Sequence, residues 1–418
     1  MKTQIEIKPF FPERVIFAIF FLYLEWYKEI WSDRPIILYG TVALLTGLVF
    51  IRMLRERRFQ LQAVPPLLKM YFLYFFYSFS GLIVAVSASH MLSGLKTYIC
   101  LIVVCFDCWY VSCKLGSHDW MYKVFKYVAF ICAMQVLFFG QPFWNGIEVT
   151  TMSSTNNPNT VGLMLVIGIL SFALTTNQEK ITSFAVALTA NVAMLYGIVL
   201  TGSRKCLLSA GAVFVFWLFT YVKTMVRQHR YKQLFLIMGC MAAGLYVCIS
   251  YIQSSFQDTS AFVRLTNLFS EGGITTRENL YKKAFEFFKT SPIIGIGYNQ
   301  YELWSSHGLY SHSSYAEILS CGGIIGTLIF YIPLAKCLYN CARNALSKRY
   351  SGDMYRARMV ALLFLCELFL GVGQIFIYDV LHLLVLMLIA MEKSSRDPAT
   401  CTKRQSLQSR KGLPLCRN

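Results

Sequence analysis

From its start to about position 392, the chain is a succession of long apolar runs separated by short polar breaks. Twelve of these runs approach the roughly 17 to 25 residues that an α-helix needs to cross about 30 Å of hydrocarbon. They fall at 14–31, 36–51, 66–88, 96–113, 122–140, 160–176, 182–201, 206–222, 233–252, 314–336, 358–374 and 376–392. The pattern predicts an all-α integral membrane protein of about twelve transmembrane helices. The first run does not have the form of a cleaved signal peptide. It is long, has no small-residue cleavage site and carries Glu25, Lys28 and Glu29 near its far end.

One break, residues 253–312, is far longer than the rest, and a loop of that length inside a compact domain usually serves a function. Within it, TTRENLYKKAFEFFKTSP places Thr275 at an N-cap with Glu278 three residues on, a capping-box pattern. Leu280, Ala284, Phe287 and Phe288 follow at helical spacing and Pro292 closes the run, so a short amphipathic helix is expected. A flexible G-x-G turn at 295–297 then leads towards the tenth span. The expected organisation is one polytopic domain over 1–392, with the loop 253–312 outside, and a basic, disordered cytoplasmic tail over 393–418.

Composition agrees with the pattern. Apolar residues make up 56% of the chain and charged residues 14%, about half the charged fraction of soluble domains, which excludes a soluble fold. Lysine and arginine set the orientation, because basic loops tend to stay in the cytoplasm. Lys2, Lys8 and Arg14 lie at the N-terminus; Arg52, Arg55, Arg57 and Arg58 follow the second span; Lys223, Arg227, Arg230 and Lys232 follow the eighth. Arg343, Lys348, Arg349, Arg356 and Arg358 come after the tenth, and twelve spans put all of these and the tail on one side. Residues 141–159 contain no lysine or arginine and belong outside. The formal net charge of +18 is therefore a juxtamembrane charge facing anionic lipid headgroups, not the footprint of a nucleic acid.

The 14 cysteines lie mostly inside apolar spans, where free cysteine acts as a small hydrophobe. Cys105 and Cys108 have redox or zinc spacing without further ligands. Asp107, Glu367 and Gln374 are polar groups inside predicted spans. Such groups are costly, and a helix partner and a functional role are both open for them.

Candidate chemistry gathers at the external loop. YNQYELWSSHGLYSHSSYAEILSCGGIIG, residues 298–326, sets tyrosines, a tryptophan and histidines at the mouth of the tenth span. Interfacial preference accounts for Tyr301, Trp304 and Tyr310. It does not account for His312, a residue able to take a proton near neutral pH and to donate a hydrogen bond. Arg204 and Lys205, in LTGSRKCLLSAG, occupy a very short loop on the same side, against the orientation rule. Arg277 stands at the first turn of the amphipathic helix, where the dipole disfavours a cation and favours an anion. A diphosphate held by Arg204, Arg277 and helix-start amides explains both placements, since guanidinium groups bind phosphate oxygens in bidentate fashion. Snorkelling to the headgroups explains them equally well.

Taken in order, these elements resemble a known family. An arginine followed by LYKKAFEFFKTSPIIGIGYNQY and then HSSYAEILSCGGIIG is similar to the signature region of the O-antigen ligase and polymerase superfamily of bacterial polytopic glycosyltransferases. TGSRKCLLSAG resembles that family's upstream arginine at a helix junction, and NNPNTVG at 156–162 its N-P-N element. Ser313 departs from the asparagine that many members carry after the histidine.

The resemblance implies a metal-independent transfer, without a cofactor, of glycan from undecaprenyl diphosphate at the outer face of the bacterial cytoplasmic membrane. Arg277 and His312 would be catalytic. Arg277, with Arg204, Lys205 and Arg264, would hold the diphosphate and stabilise its charge as it leaves. His312 would orient or deprotonate the acceptor hydroxyl. Tyr301, Trp304 and Tyr315 would meet the sugars, and Glu317 is a second candidate base. Lipid-linked glycans, membrane lipids, a flippase and a chain-length regulator are the implied partners. Polymerisation of repeats is favoured over ligase-type transfer on the form of HSSYAEILSCGGIIG. A twelve-helix secondary transporter is the alternative from another class, but the long loop here is external and off-centre.

Overall fold

The computed structural model describes residues 10–24, 35–56, 64–144, 158–176, 180–232, 234–235, 239, 246, 272–305, 308–346 and 354–394. Apolar runs become helices because a helix satisfies its backbone N–H and C=O groups within the segment, as hydrocarbon demands. In chain order these are α1 (Phe11–Leu22), α2 (Pro35–Glu56), α3 (Pro66–Ser78), α4 (Ala88–Leu115), α5 (Asp119–Trp144), α6 (Pro158–Thr175) and α7 (Ile181–Thr201). There follow α8 (Arg204–Arg227), α9 (Gly272–Thr290), α10 (Tyr301–Trp304), α11 (Ser314–Leu346), α12 (Met354–Leu370) and α13 (Val380–Ser394). Among the described residues α2, α4, α5, α7, α8 and α11 are long and apolar enough to cross a membrane, so the chain is a multi-pass helical membrane protein. The predicted span 233–252 lies almost wholly outside the described residues, as do the first part of the loop 253–312 and the tail beyond 394.

The helices gather into two compact units, one of residues 1–47, 119–282 and 368–374, the other of residues 48–118, 283–367 and 375–418. In the first unit α6 packs against α5, α7 and α8. Every residue from Val161 to Ala173 is buried, in keeping with a sequence that has no polar face. Gly168 permits the closest approach, since a Cβ there would collide with Ala129 and Met194. Phe17 of α1 packs edge-on against Trp120 and Phe125 of α5.

In the second unit α13 plays the same part against α3, α4 and α11, and every residue from Val380 to Glu392 is buried. Glu392 is gripped by Arg356 Nη2 and His118 Nε2, each at 2.6 Å. One carboxylate thereby ties the turn after α4 to the start of α12 and the end of α13. For Glu367, the partner that the sequence left open is His382 of α13, and both are fully buried. Cys105 and Cys108 are buried on α4, which withdraws the accessible sulfur that a redox or zinc motif requires.

α11 is broken. Gly323 has φ 62° and ψ −163°, a conformation open essentially to glycine, and a Cβ there would stand 2.5 Å from Gly295 N and from Ile293 O. A break leaves orphan carbonyls on the first half-helix and orphan amides on the second, and the segment 292–297 satisfies both sets. The carbonyls of Pro292 and Ile293 accept from the N–H groups of Ile324 and Ile325 at 2.8 and 3.2 Å. The N–H groups of Ile296 and Gly297 donate to the carbonyls of Ser320 and Cys321 at 2.9 and 3.1 Å. Tyr77 Oη of α3 donates to the Gly322 carbonyl at 2.6 Å. The G-x-G turn expected to be flexible is thus a fixed insert, because its amides, with the carbonyls of Pro292 and Ile293, replace the missing helical turn of α11. Residues 297–320 become a loop closed at its base.

α9 also departs from expectation. It begins at Gly272, one turn before Thr275, so Thr275 is an internal residue and Arg277 stands in the second turn. Leu280 and Ala284 are buried as the spacing predicted, with Phe287 and Phe288 half-buried.

Candidate functional site

The closed loop holds most of the aromatic and histidine candidates. His312 is exposed and has φ 54°, a left-handed conformation that a non-glycine residue keeps only where its surroundings impose it. They do so here from both sides. Ser311 Oγ donates to the Ser313 carbonyl at 2.9 Å, and the Ser311 N–H donates to Glu317 Oε2 at 3.0 Å. Ser313 Oγ accepts from the Ala316 N–H at 3.5 Å and caps α11.

A second layer supports the first. Tyr378 Oη donates to Glu317 Oε1 at 3.0 Å, and the Phe376 N–H donates to Ser314 Oγ at 2.8 Å. Burial, and then the adjacent Glu317 carboxylate, push the Tyr378 phenol well above its ordinary value, so it stays a protonated donor at neutral pH. The rings of Tyr298 and Tyr310 pack on that of Tyr378 at 5.5 and 5.4 Å. Tyr378 lies in a short 3₁₀ turn, Phe376–Tyr378, whereas the apolar pattern put it inside a span beginning at 376. Asp379 Oδ1 accepts from the Leu381 N–H at 2.8 Å, just ahead of the start of α13.

The aromatic candidates divide by exposure. Tyr301 is fully buried against Phe287 of α9, with ring centroids 5.2 Å apart. Trp304 rests on the same phenylalanine but is 37% exposed. Tyr315 is 36% exposed and stacks on Tyr331 at 5.5 Å. Trp304 and Tyr315 keep surface that a sugar ring could cover; Tyr301 is a packing residue.

The cationic candidates belong to the first unit. The chain turns from α7 into α8 at Gly202, φ 66°. Ser203 stands at the N-cap of α8 without capping it. Its hydroxyl donates instead to Asn159 Oδ1 at 2.7 Å, while Cys206 Sγ donates to the Asn159 carbonyl at 3.4 Å. A Cβ on Gly162 would stand 2.8 Å from Cys206 Cβ, so the elements NNPNTVG and TGSRKCLLSAG dock tightly on one another. The start of α8 then combines the positive end of a helix dipole with Arg204 and Lys205, a setting that favours an anion. Lys205 reaches the turn after α12, where Gly373 leaves room for its ammonium. Tyr281 Oη of α9 donates to the Val372 carbonyl in the same turn at 2.8 Å. Arg264 lies outside the described residues.

The structure therefore groups Arg204, Lys205 and Arg277 in one unit, and Tyr301, Trp304, His312, Tyr315 and Glu317 in the other. Asn159, Ser311, Gly373 and Tyr378 were not singled out by the sequence. For Asn159 the N-P-N element carried a signal. Tyr378 had none, since its partner Glu317 lies 61 positions away.

The elements that carry these two groups follow one another in a single stretch of chain. Residues 189–331 match the O-antigen ligase family model. The matched region runs from within α7 to Tyr331 of α11, so it contains both the start of α8 and the closed loop. The match supports the O-antigen ligase and polymerase superfamily, to which the ordered sequence elements are similar. No curated protein gives a significant match to the chain.

Proposed function

We propose that this protein is a membrane glycosyltransferase that polymerises undecaprenyl-diphosphate-linked oligosaccharide repeats into O-antigen, capsular polysaccharide or exopolysaccharide. The observation that carries the reading is the O-antigen ligase match, which spans both the cationic start of α8 and the His312 loop. In this reading residues 1–392 are one domain that crosses the cytoplasmic membrane twelve times, with both termini inside and the loop 253–312 outside. Arg204, Lys205, Arg264 and Arg277 bind the diphosphate, and fixed cations with the first amides of α8 stabilise its charge as it leaves. His312 takes the proton of the acceptor hydroxyl as the bond between sugar and diphosphate breaks. Trp304 and Tyr315 offer ring faces to the sugars. The scheme uses no metal or cofactor, and a flippase and a chain-length regulator complete the system.

The length distribution of lipid-linked and surface glycan, in cells with and without the gene, tests the reaction. Single repeats stranded on the carrier, with long chains lost, identify a polymerase. Long chains that persist on the carrier without reaching an acceptor identify a ligase, the second reading and the one that the family's own description favours. His312→Ala, expressed at normal level, is expected to lose about 10²- to 10⁴-fold in turnover. Full activity in both His312→Ala and Arg277→Ala would remove the site assignment.

A further inference from the structure

His312 has a role in the proposed function; the buried carboxylate behind it has none. Glu317 is 0% exposed, so it does not reach an acceptor sugar as a base would. Both its oxygens are engaged, Oε2 by the Ser311 N–H and Oε1 by Tyr378 Oη, with Cys321 Sγ 3.8 Å from Oε1. Each of these partners lies in or behind the loop that carries His312. We infer that Glu317 and Tyr378 are positioning residues, which hold the His312 backbone in its left-handed conformation and thereby aim the imidazole. The inference rests on the role given to His312 above.

The geometry gives the clamp its leverage. The Glu317 bond fixes the amide of Ser311, and the Ser311 hydroxyl fixes the carbonyl of Ser313, so residue 312 is held from both neighbours. Released, it would relax from φ 54° towards the usual right-handed value, a rotation of roughly 120° about N–Cα. That rotation moves the ring by several ångströms, whereas a misplacement of about 1 Å already costs on the order of 10²-fold in rate. Tyr378 acts at one remove, by holding Glu317 against the turn ahead of α13.

The test uses purified full-length protein and lipid-linked repeat extracted from cells that lack the gene, with initial rates of elongation as the readout. Tyr378→Phe removes one hydroxyl and keeps the ring packing, so it guards against a Glu317 variant that does not fold. Tyr378→Phe and Glu317→Ala are expected to lower kcat about 10- to 100-fold, with KM for the lipid-linked donor unchanged within about twofold. Glu317→Gln, which keeps an oxygen acceptor for the Ser311 N–H, is expected to retain most of the rate. Adding Tyr378→Phe to His312→Ala is expected to cost nothing further, because residues acting through one group are not additive. The inference is overturned if Tyr378→Phe and Glu317→Ala both turn over like the unaltered protein. It is also overturned if Tyr378→Phe slows the His312→Ala protein by the same factor as the unaltered one, for that is a general structural effect. A fully active His312→Ala protein would sink the role of His312 itself, and it shows in the single variant before Glu317 or Tyr378 is touched.

Discussion

Two helices within residues 189–331 begin on a serine, and the two serines do opposite things. At α11, Ser313 accepts from the Ala316 N–H and closes the helix start. At α8, Ser203 turns its hydroxyl to Asn159 and makes no side-chain cap, beside Arg204 and Lys205. A side-chain cap fixes the backbone of a helix start; a cap residue bonded elsewhere does not. Under the function proposed above, the contrast suits the two roles. An anion is attracted over a distance by long, adjustable side chains, so the α8 start needs charge more than rigidity. A general base acts only at hydrogen-bonding range, so the turn before α11 needs its backbone held.

Substitutions can break this contrast at several strengths. The largest effect is expected at the base of the closed loop. Gly323→Ala forces a side chain into a glycine-only conformation and against Gly295, costing about 3 kcal/mol or more, so little monodisperse protein should survive detergent extraction. Ser313→Ala removes the α11 cap and should cost about 1 kcal/mol of stability, seen as a lower melting temperature together with a fall in kcat. Asn159→Ala frees the Ser203 hydroxyl to cap α8. It makes the α8 start resemble that of α11, so donor KM should rise several-fold while kcat moves less. Gly373→Ala is the mildest, because it only pushes the Lys205 ammonium aside. A loss of about 0.3 to 1 kcal/mol at a helix terminus predicts a roughly two- to fivefold rise in donor KM and an unchanged melting temperature.

Much of the scaffold was legible in the sequence because its signals are local. Apolar runs located the helices, and helical spacing put Leu280 and Ala284 on the buried face of α9. The start of that helix was not legible from the capping box, since Gly272, Gly273 and Ile274 continue the helix upstream of Thr275. The candidate site was read less completely, for a physical reason. Residue type singled out His312, Arg204 and Lys205, but the groups that hold them are defined by pairings across the fold. Glu317 entered as a second base only through the resemblance; burial and its bonds to Ser311 and Tyr378 are tertiary facts. Likewise the G-x-G element read as a turn and the paired glycines only as part of a signature, and the hydrogen bonds between segments 292–297 and 320–325 reveal the joint.

That joint has a consequence for how such a protein diversifies. With Ile296 bonded to Ser320 and Gly297 to Cys321 at the base, the chain between the clasp and Ser311 is a connecting segment outside the helical frame. The entropy of closing a loop rises only slowly with its length, about 0.6 kcal/mol for each doubling. Insertions ahead of Ser311 therefore leave the helical frame in register, whereas a single residue added within 292–297 or 320–325 shifts every hydrogen bond that spans the break. Under the function proposed above, a change of glycan acceptor has in this segment a place to be accommodated without rebuilding the helical frame.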